Sequence, residues 1–213
     1  MSAERGDIKD NRVRENIVGI CVSGGSDHRV RYNVVQNNSS GIGVASNTGP
    51  VDVSNNTVKN NTGGGIAAFA CLAPGVLIDH NSITGSKVGI AAGGHRNSCA
   101  GFVISNNTVR GPGASTPDSF GISTFEGSGV YTRNSFQDFE TGMSLDNCGG
   151  CTASFNSISS SDVGIDLLHS NGTTVTRNNV SGSTTVDCHW DGSNVNVLTN
   201  NNCGTQDPAG AFD

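Results

Sequence analysis

The sequence predicts an all-β solenoid of about nine coils, and three observations carry that prediction. The chain of 213 residues holds nine copies of the pattern apolar-x-x-Asn-x-apolar, at nearly even intervals from one end to the other. Most copies are followed, at a near-constant offset, by a Gly-apolar pair. Gly contributes 30 residues and Asn 25, and both disfavour helix interiors.

The repeated asparagines are Asn11, Asn33, Asn56, Asn81, Asn107, Asn134, Asn156, Asn178 and Asn200. The pairs that follow are Gly19-Ile20, Gly41-Ile42, Gly65-Ile66, Gly89-Ile90, Gly121-Ile122, Gly142-Met143 and Gly164-Ile165. A period of this length with several short strand patterns per copy makes each copy one coil. At about 4.8 Å per strand, nine coils form a rod on the order of 40 Å long. Inward Val, Ile and Phe stack coil upon coil into a continuous core. The repeated Asn is expected at a tight turn, where it tolerates the left-handed region. Its amide is expected to bond the Asn of the next coil, as identical residues do when stacked in register. Loss of such a rung strands buried partners, so Asn107→Ala is expected to cost far more stability than Ser159→Ala.

On these repeats, from about Ile8 to Cys203, the chain resembles the right-handed parallel β-helix superfamily, the pectate-lyase-like fold with short β-helix repeats. The resemblance implies a single domain over 1–213, with 204–213 as a carboxyl-terminal tail or cap. The superfamily includes lyases, hydrolases, epimerases and non-catalytic phage and surface proteins, so the fold leaves the activity open. Such folds usually begin with a capping helix, and here the repeat starts almost at Met1. A further segment or a second copy of the chain is therefore expected over that end, whose strand edges are otherwise exposed.

Twelve basic residues stand against 18 acidic ones, a formal net charge of −6. That balance excludes the basic stripe of a nucleic-acid scaffold. No apolar run reaches the roughly 20 residues of a membrane helix, and no signal-peptide core opens the chain. A surface poor in Lys and rich in Asn, Ser, Thr and Gly suggests an extracellular or cell-surface protein. Nucleotide and metalloprotease motifs and the nucleophile elbow are missing from the sequence.

Alternation within a strand sorts outward residues into columns. Counted from the Gly-apolar pair, one column runs Cys21, Gly43, Ala67, Ala91, Ser123, Ser144, Asp166 and Asp187. The other runs Ser23, Ala45, Phe69, Gly93, Phe125, Asp146, Leu168 and His189, taking Val186 as the inward residue of the last coil. Asp166 and Asp187 then lie one coil apart, with Asp146 and His189 diagonal to them. Two like charges that close raise one pKa, which suits a general acid. A carboxyl separation of about 5 Å is the retaining-glycosidase spacing, and inverting enzymes need more room. The competing reading is a row of solvated carboxylates. Paired carboxylates with backbone carbonyls also suit calcium, so calcium is an optional ligand and no cofactor is required.

Loops after this strand carry His95 and Arg96, Glu126 and His169, which are candidate substrate contacts. Arg96 would clamp a carboxylate. Trp190, Phe69 and Phe125 offer stacking faces. Of seven cysteines, Cys148 and Cys151 form a CxxC without a helix to activate it, so a local disulfide or two free thiols is expected. Cys71 and Cys99 fall in successive loops on the same side and are placed to pair in an oxidising compartment, and Cys188 reads as core.

These residues favour a carbohydrate-active protein that cleaves a polysaccharide over the carboxyl-terminal coils. Hydrolysis suits them better than a lyase reaction, because the columns carry no Lys or Arg base. An epimerase using an Asp–His pair stays open. The alternative is a non-catalytic structural or glycan-binding solenoid within a larger surface or phage protein.

Overall fold

Each repeat lays three strands end to end around a triangular cross-section. The computed structural model describes residues 5–45, 48–69, 75–94, 99–192, 195–208 and 210–213, with the side chains of 99 and 100 excepted. The first face carries the longer strands, from Val18–Ser23 and Ser40–Ala45 through Thr141–Cys148 and Val163–Leu168 to Val186–Trp190 and Gln206–Asp207. A second face runs from Asp7–Lys9 to Val197–Thr199, and a third from Arg12–Arg14 to Asn202–Cys203. The strand Phe120–Thr132 passes from the first face to the second without a break, which joins them into one 17-stranded sheet beside the nine-stranded third face. Nine strands on a face mean about eight turns from first to last. No helix occurs among the described residues.

Register follows the Gly-apolar pairs. Ile20, Ile42, Ile66, Ile90, Ile122, Met143 and Ile165 stand in one inward column, and all are buried. Each preceding glycine is required sterically. A Cβ on Gly41 would lie 2.2 Å from the Gly65 carbonyl oxygen, and one on Gly164 would lie 2.3 Å from that of Asp187. Parallel coils spaced at about 4.8 Å leave no room for a methyl group there.

The Asn ladder is present and continuous. The side-chain oxygen of each rung accepts both the backbone N–H and the side-chain N–H of the Asn one turn below. For Asn107 these donors belong to Asn81, at 2.9 and 3.0 Å. The Asn107 amide in turn donates to the Ile78 and Ser105 carbonyls, both at 2.9 Å. A second, shorter ladder of Asn16, Asn38 and Asn61 fills the next corner.

Two expectations about the ladder change. The left-handed residue is the one before each rung: Asp10, Tyr32, Asn55, His80, Asn106, Arg133, Phe155, Arg177 and Asn200 all have φ between 52 and 58°. This residue bends the chain so that the following Asn points inward. The last rung is accordingly Asn201, whose oxygen takes both donors of Asn178, and Asn200 is the exposed corner residue before it.

The last turn shifts for the same reason. Ile158 pairs with Val180, whereas Ile165 pairs with Cys188 and Val175 with Leu198, both at an offset longer by one. One extra residue therefore lies between Ser181 and Val186, and Asp187-Cys188 takes the place of Gly-apolar. Asp187 is thus not outward. It is 5% exposed, and its carboxylate accepts the N–H groups of Ser183 and Thr205, both at 3.0 Å. A side chain fits here because the chain above Asp187 is the tail rather than another coil's carbonyl.

Cys148 and Cys151 form the local disulfide, and Cys188, which is core as expected, is bonded to Cys203. Cys21 is a free, exposed thiol. The Cys71–Cys99 pairing lies outside the described residues.

Candidate functional site

The outward side of the first face changes character along the rod. Its early turns are flat, with Gly43, Ala67 and Ala91 in one column. In the neighbouring column Phe69 and Phe125 meet at 5.8 Å between ring centroids. Gly93, which stands between them in register, leaves the space for that contact. Both rings are more than one-third exposed. Asp146 follows Phe125 in the same column.

Two carboxylate–imidazole pairs occupy the later turns. The one-residue shift of the last turn brings His189 directly above Asp166, and Asp166 Oδ1 lies 2.6 Å from His189 Nδ1. Both side chains are about one-quarter to one-third exposed, at 22% and 32%. His169 stands at the corner after Leu168 in the left-handed region, φ 46°, which swings its ring back to Asp146. There Nδ1 lies 3.0 Å from Asp146 Oδ1, and the His169 backbone N–H donates to Asp191 at 2.7 Å. The Asp146 and Asp166 backbones differ by one turn and two residues, a diagonal of roughly 8 Å.

An imidazole that donates Nδ1–H to a carboxylate keeps its Nε2 lone pair free, the arrangement of an oriented general base. The hydrogen bond to Asp146 and its negative charge, with a smaller contribution from Asp191, raise the His169 pKa above its ordinary value of 6.5. Because the folded state holds this proton more tightly, the pair stabilises the fold below the unfolded-state pKa. That contribution is lost as the pH rises through the folded value. In an NMR titration His169 is expected to show a midpoint above 6.5, and Asp146→Asn is expected to move it down. A midpoint indifferent to the substitution would exclude the pairing.

The remaining expected contacts scatter. Asp187 is held by backbone N–H groups, as described. Trp190 pairs in register with Leu167 and is packed, half-buried, against the core. Glu126 stands half-buried at the corner after Phe125. His95 and Arg96 lie outside the described residues. Two residues join the site that sequence reasoning passed over: Asp191, beside His169, and Asp207, in register above His189. Asp207 sits in a tail without the repeat pattern, so nothing in its sequence marks the register.

Two family models match the chain. One describes a right handed beta helix region and matches residues 1–109; the other, described as periplasmic copper-binding protein (NosD), matches residues 76–211. A search of curated proteins finds no match. Copper prefers thiolates, thioethers and imidazoles. Four described cysteines are closed in disulfides, and no three His, Cys, Asp or Glu side chains among the described residues gather around a common point. The described residues therefore do not fit a copper site, nor a calcium site built on clustered carboxylates. Parallel stacking on three faces, the Asn ladder and the two matches, each covering half of the chain or more, give one conclusion: the chain belongs to the right-handed parallel β-helix superfamily and, over residues 76–211, to the NosD family.

Proposed function

We propose that the protein is carbohydrate-active and hydrolyses glycosidic bonds of a polysaccharide lying along the first face. The observation that carries this reading is the pair of Asp–His dyads set diagonally on one open face, next to the Phe69–Phe125 platform. Exposed rings beside a flat track suit the apolar faces of sugars. The Asp146 and Asp166 backbones stand roughly 8 Å apart on the diagonal, which leaves room for a water between the two dyads. In this scheme Asp166 orients His189, whose Nε2 takes a proton from the attacking water. Protonated His169, held by Asp146, gives its proton to the departing glycosidic oxygen as the bond to the anomeric carbon breaks. Two disulfides and a family described as periplasmic support an oxidising location outside the cytoplasm, and we extend this to the extracellular space or cell surface.

The test incubates the protein with neutral and uronic polysaccharides, with and without calcium, following reducing ends and unsaturated-product absorbance together. Reducing ends alone are expected, lowered at least about 100-fold by Asp166→Asn or His189→Ala. Unsaturated product would mean a lyase. No product from any polysaccharide would favour the second reading, a non-catalytic glycan-binding solenoid, to which the Phe69–Phe125 platform is equally suited.

A further inference from the structure

A different corner of the rod carries a cluster that the dyads do not use. Between the second and third faces, Arg133, Phe155 and Arg177 stand one above another in three consecutive turns, each just before a ladder Asn. Both guanidinium carbons lie 5.5 Å from the Phe155 ring centroid, within the range of cation–π attraction. All three residues are exposed. Neither arginine has an ion-pair partner among the described residues, whereas Arg31 and Arg110 are paired with Asp7 and Asp138. The segments forming this corner read Thr-Arg-Asn-Ser, Ser-Phe-Asn-Ser and Thr-Arg-Asn-Asn and contain no carboxylate, on a chain of net charge −6.

The backbone at this corner is left-handed in every turn. Arg133, Phe155 and Arg177 have φ of 55, 57 and 56°, a region that bulky side chains occupy only at a cost. Of the other six turns, four fill the same corner with Asp10, Asn55, Asn106 and Asn200, residues that tolerate it, and two with the isolated bulky residues Tyr32 and His80. Three consecutive turns thus give up the easier residue for a cation–aromatic–cation stack.

We propose that this corner binds a linear anionic polysaccharide running along the rod. The two guanidiniums are held about two turns apart, roughly 10 Å, with their N–H donors free to take acid groups on successive units of an extended chain. On either side stand half-buried Thr132 and Thr176 and the exposed row of Ser135, Ser157 and Asn179, stacked in register, which supply hydrogen-bonding groups for sugar hydroxyls. A nucleic acid fits less well. Phe155 already carries two guanidiniums over its ring, which compete with base stacking. The site lies away from the first face, and it stands whether or not the dyads are catalytic.

The experiment measures binding to polygalacturonate, to the same polymer methyl-esterified, and to single-stranded poly-dT, in the presence of a chelator so that calcium cannot bridge acidic groups. Polygalacturonate is expected to bind at least tenfold tighter than the ester, with an affinity that falls as salt is raised. Arg133→Gln/Arg177→Gln is expected to lose at least tenfold, and Phe155→Leu part of that. Arg12→Gln/Arg14→Gln, the same charge change on the first repeat, is expected to change nothing. Asp166→Asn/His189→Ala is expected to keep this binding while losing any cleavage, which separates the two sites. Unchanged affinity in the corner double variant, no binding of polygalacturonate, or tighter binding of poly-dT would each overturn the proposal. All the substituted residues of the corner are exposed, and a circular dichroism melt confirms that each variant is folded.

Discussion

Replacing Gly121 by alanine is expected to destabilise the protein by about 3 kcal/mol or more, the upper end of what overpacking costs. The new Cβ would stand 2.3 Å from the Gly142 carbonyl oxygen and 2.8 Å from a ring carbon of Phe136. Neither can yield. The strand holding Gly142 is hydrogen-bonded to turns on both sides, and Phe136 is fully buried. Relief would require opening the spacing between turns, which breaks ladder bonds on two faces at once. Gly149 provides the control. A Cβ there meets nothing within 4 Å, so Gly149→Ala should be neutral or slightly stabilising through the unfolded chain. Urea midpoints for the two variants decide the matter; equal midpoints would refute the steric account.

Asn107→Ala is the second large effect, expected to cost about 3–4 kcal/mol from several buried groups left unsatisfied at once. Asn107 is 1% exposed. Its loss strands the Asn81 backbone N–H below, takes one of three acceptors from the Asn81 amide, and removes a donor from the Ile78 and Ser105 carbonyls and from Asn134 above. Ser159→Ala, on an outward position of the third face, should move the thermal midpoint by no more than a degree or two. If the two variants melt together, the ladder contributes no more than a half-buried hydroxyl on the outside of the rod. Asn107→Asp is a sharper form of the same test, because a carboxylate cannot donate to Ile78 and Ser105.

The repeat was legible because stacking makes the same demand in every turn. An inward apolar residue, a glycine facing the next turn's carbonyl and an amide that both donates and accepts recur at fixed offsets, and each has a residue type that satisfies it alone or nearly so. Ile42, Gly41 and Asn33 could therefore be placed from spacing. The outward columns through Asp166 followed from the same count. The count failed only beyond Ser181, where one additional residue changes the register and the segment Ser-Thr-Thr gives no sign of which position is extra. That single residue decides which carboxylate meets which histidine. It takes Asp187 out of the outward column, moves Asn200 off the ladder and sets His189 above Asp166.

The corner residues show the other limit. Side chains in the left-handed position before each rung point out of the stack and share no packing demand from turn to turn, so their meetings cannot be read from any one repeat. Arg133, Phe155 and Arg177 belong to three separate repeats and touch only because parallel turns bring them within a strand spacing of one another. His169 likewise reaches Asp146 only because the corner after Leu168 turns through positive φ. Sequence alone determined the repeat, its period, its inward faces and its ladder, since these are local demands repeated nine times. The pairing of charged groups across turns was decided by the tertiary structure, because it depends on the accumulated register, and one inserted residue is enough to change it.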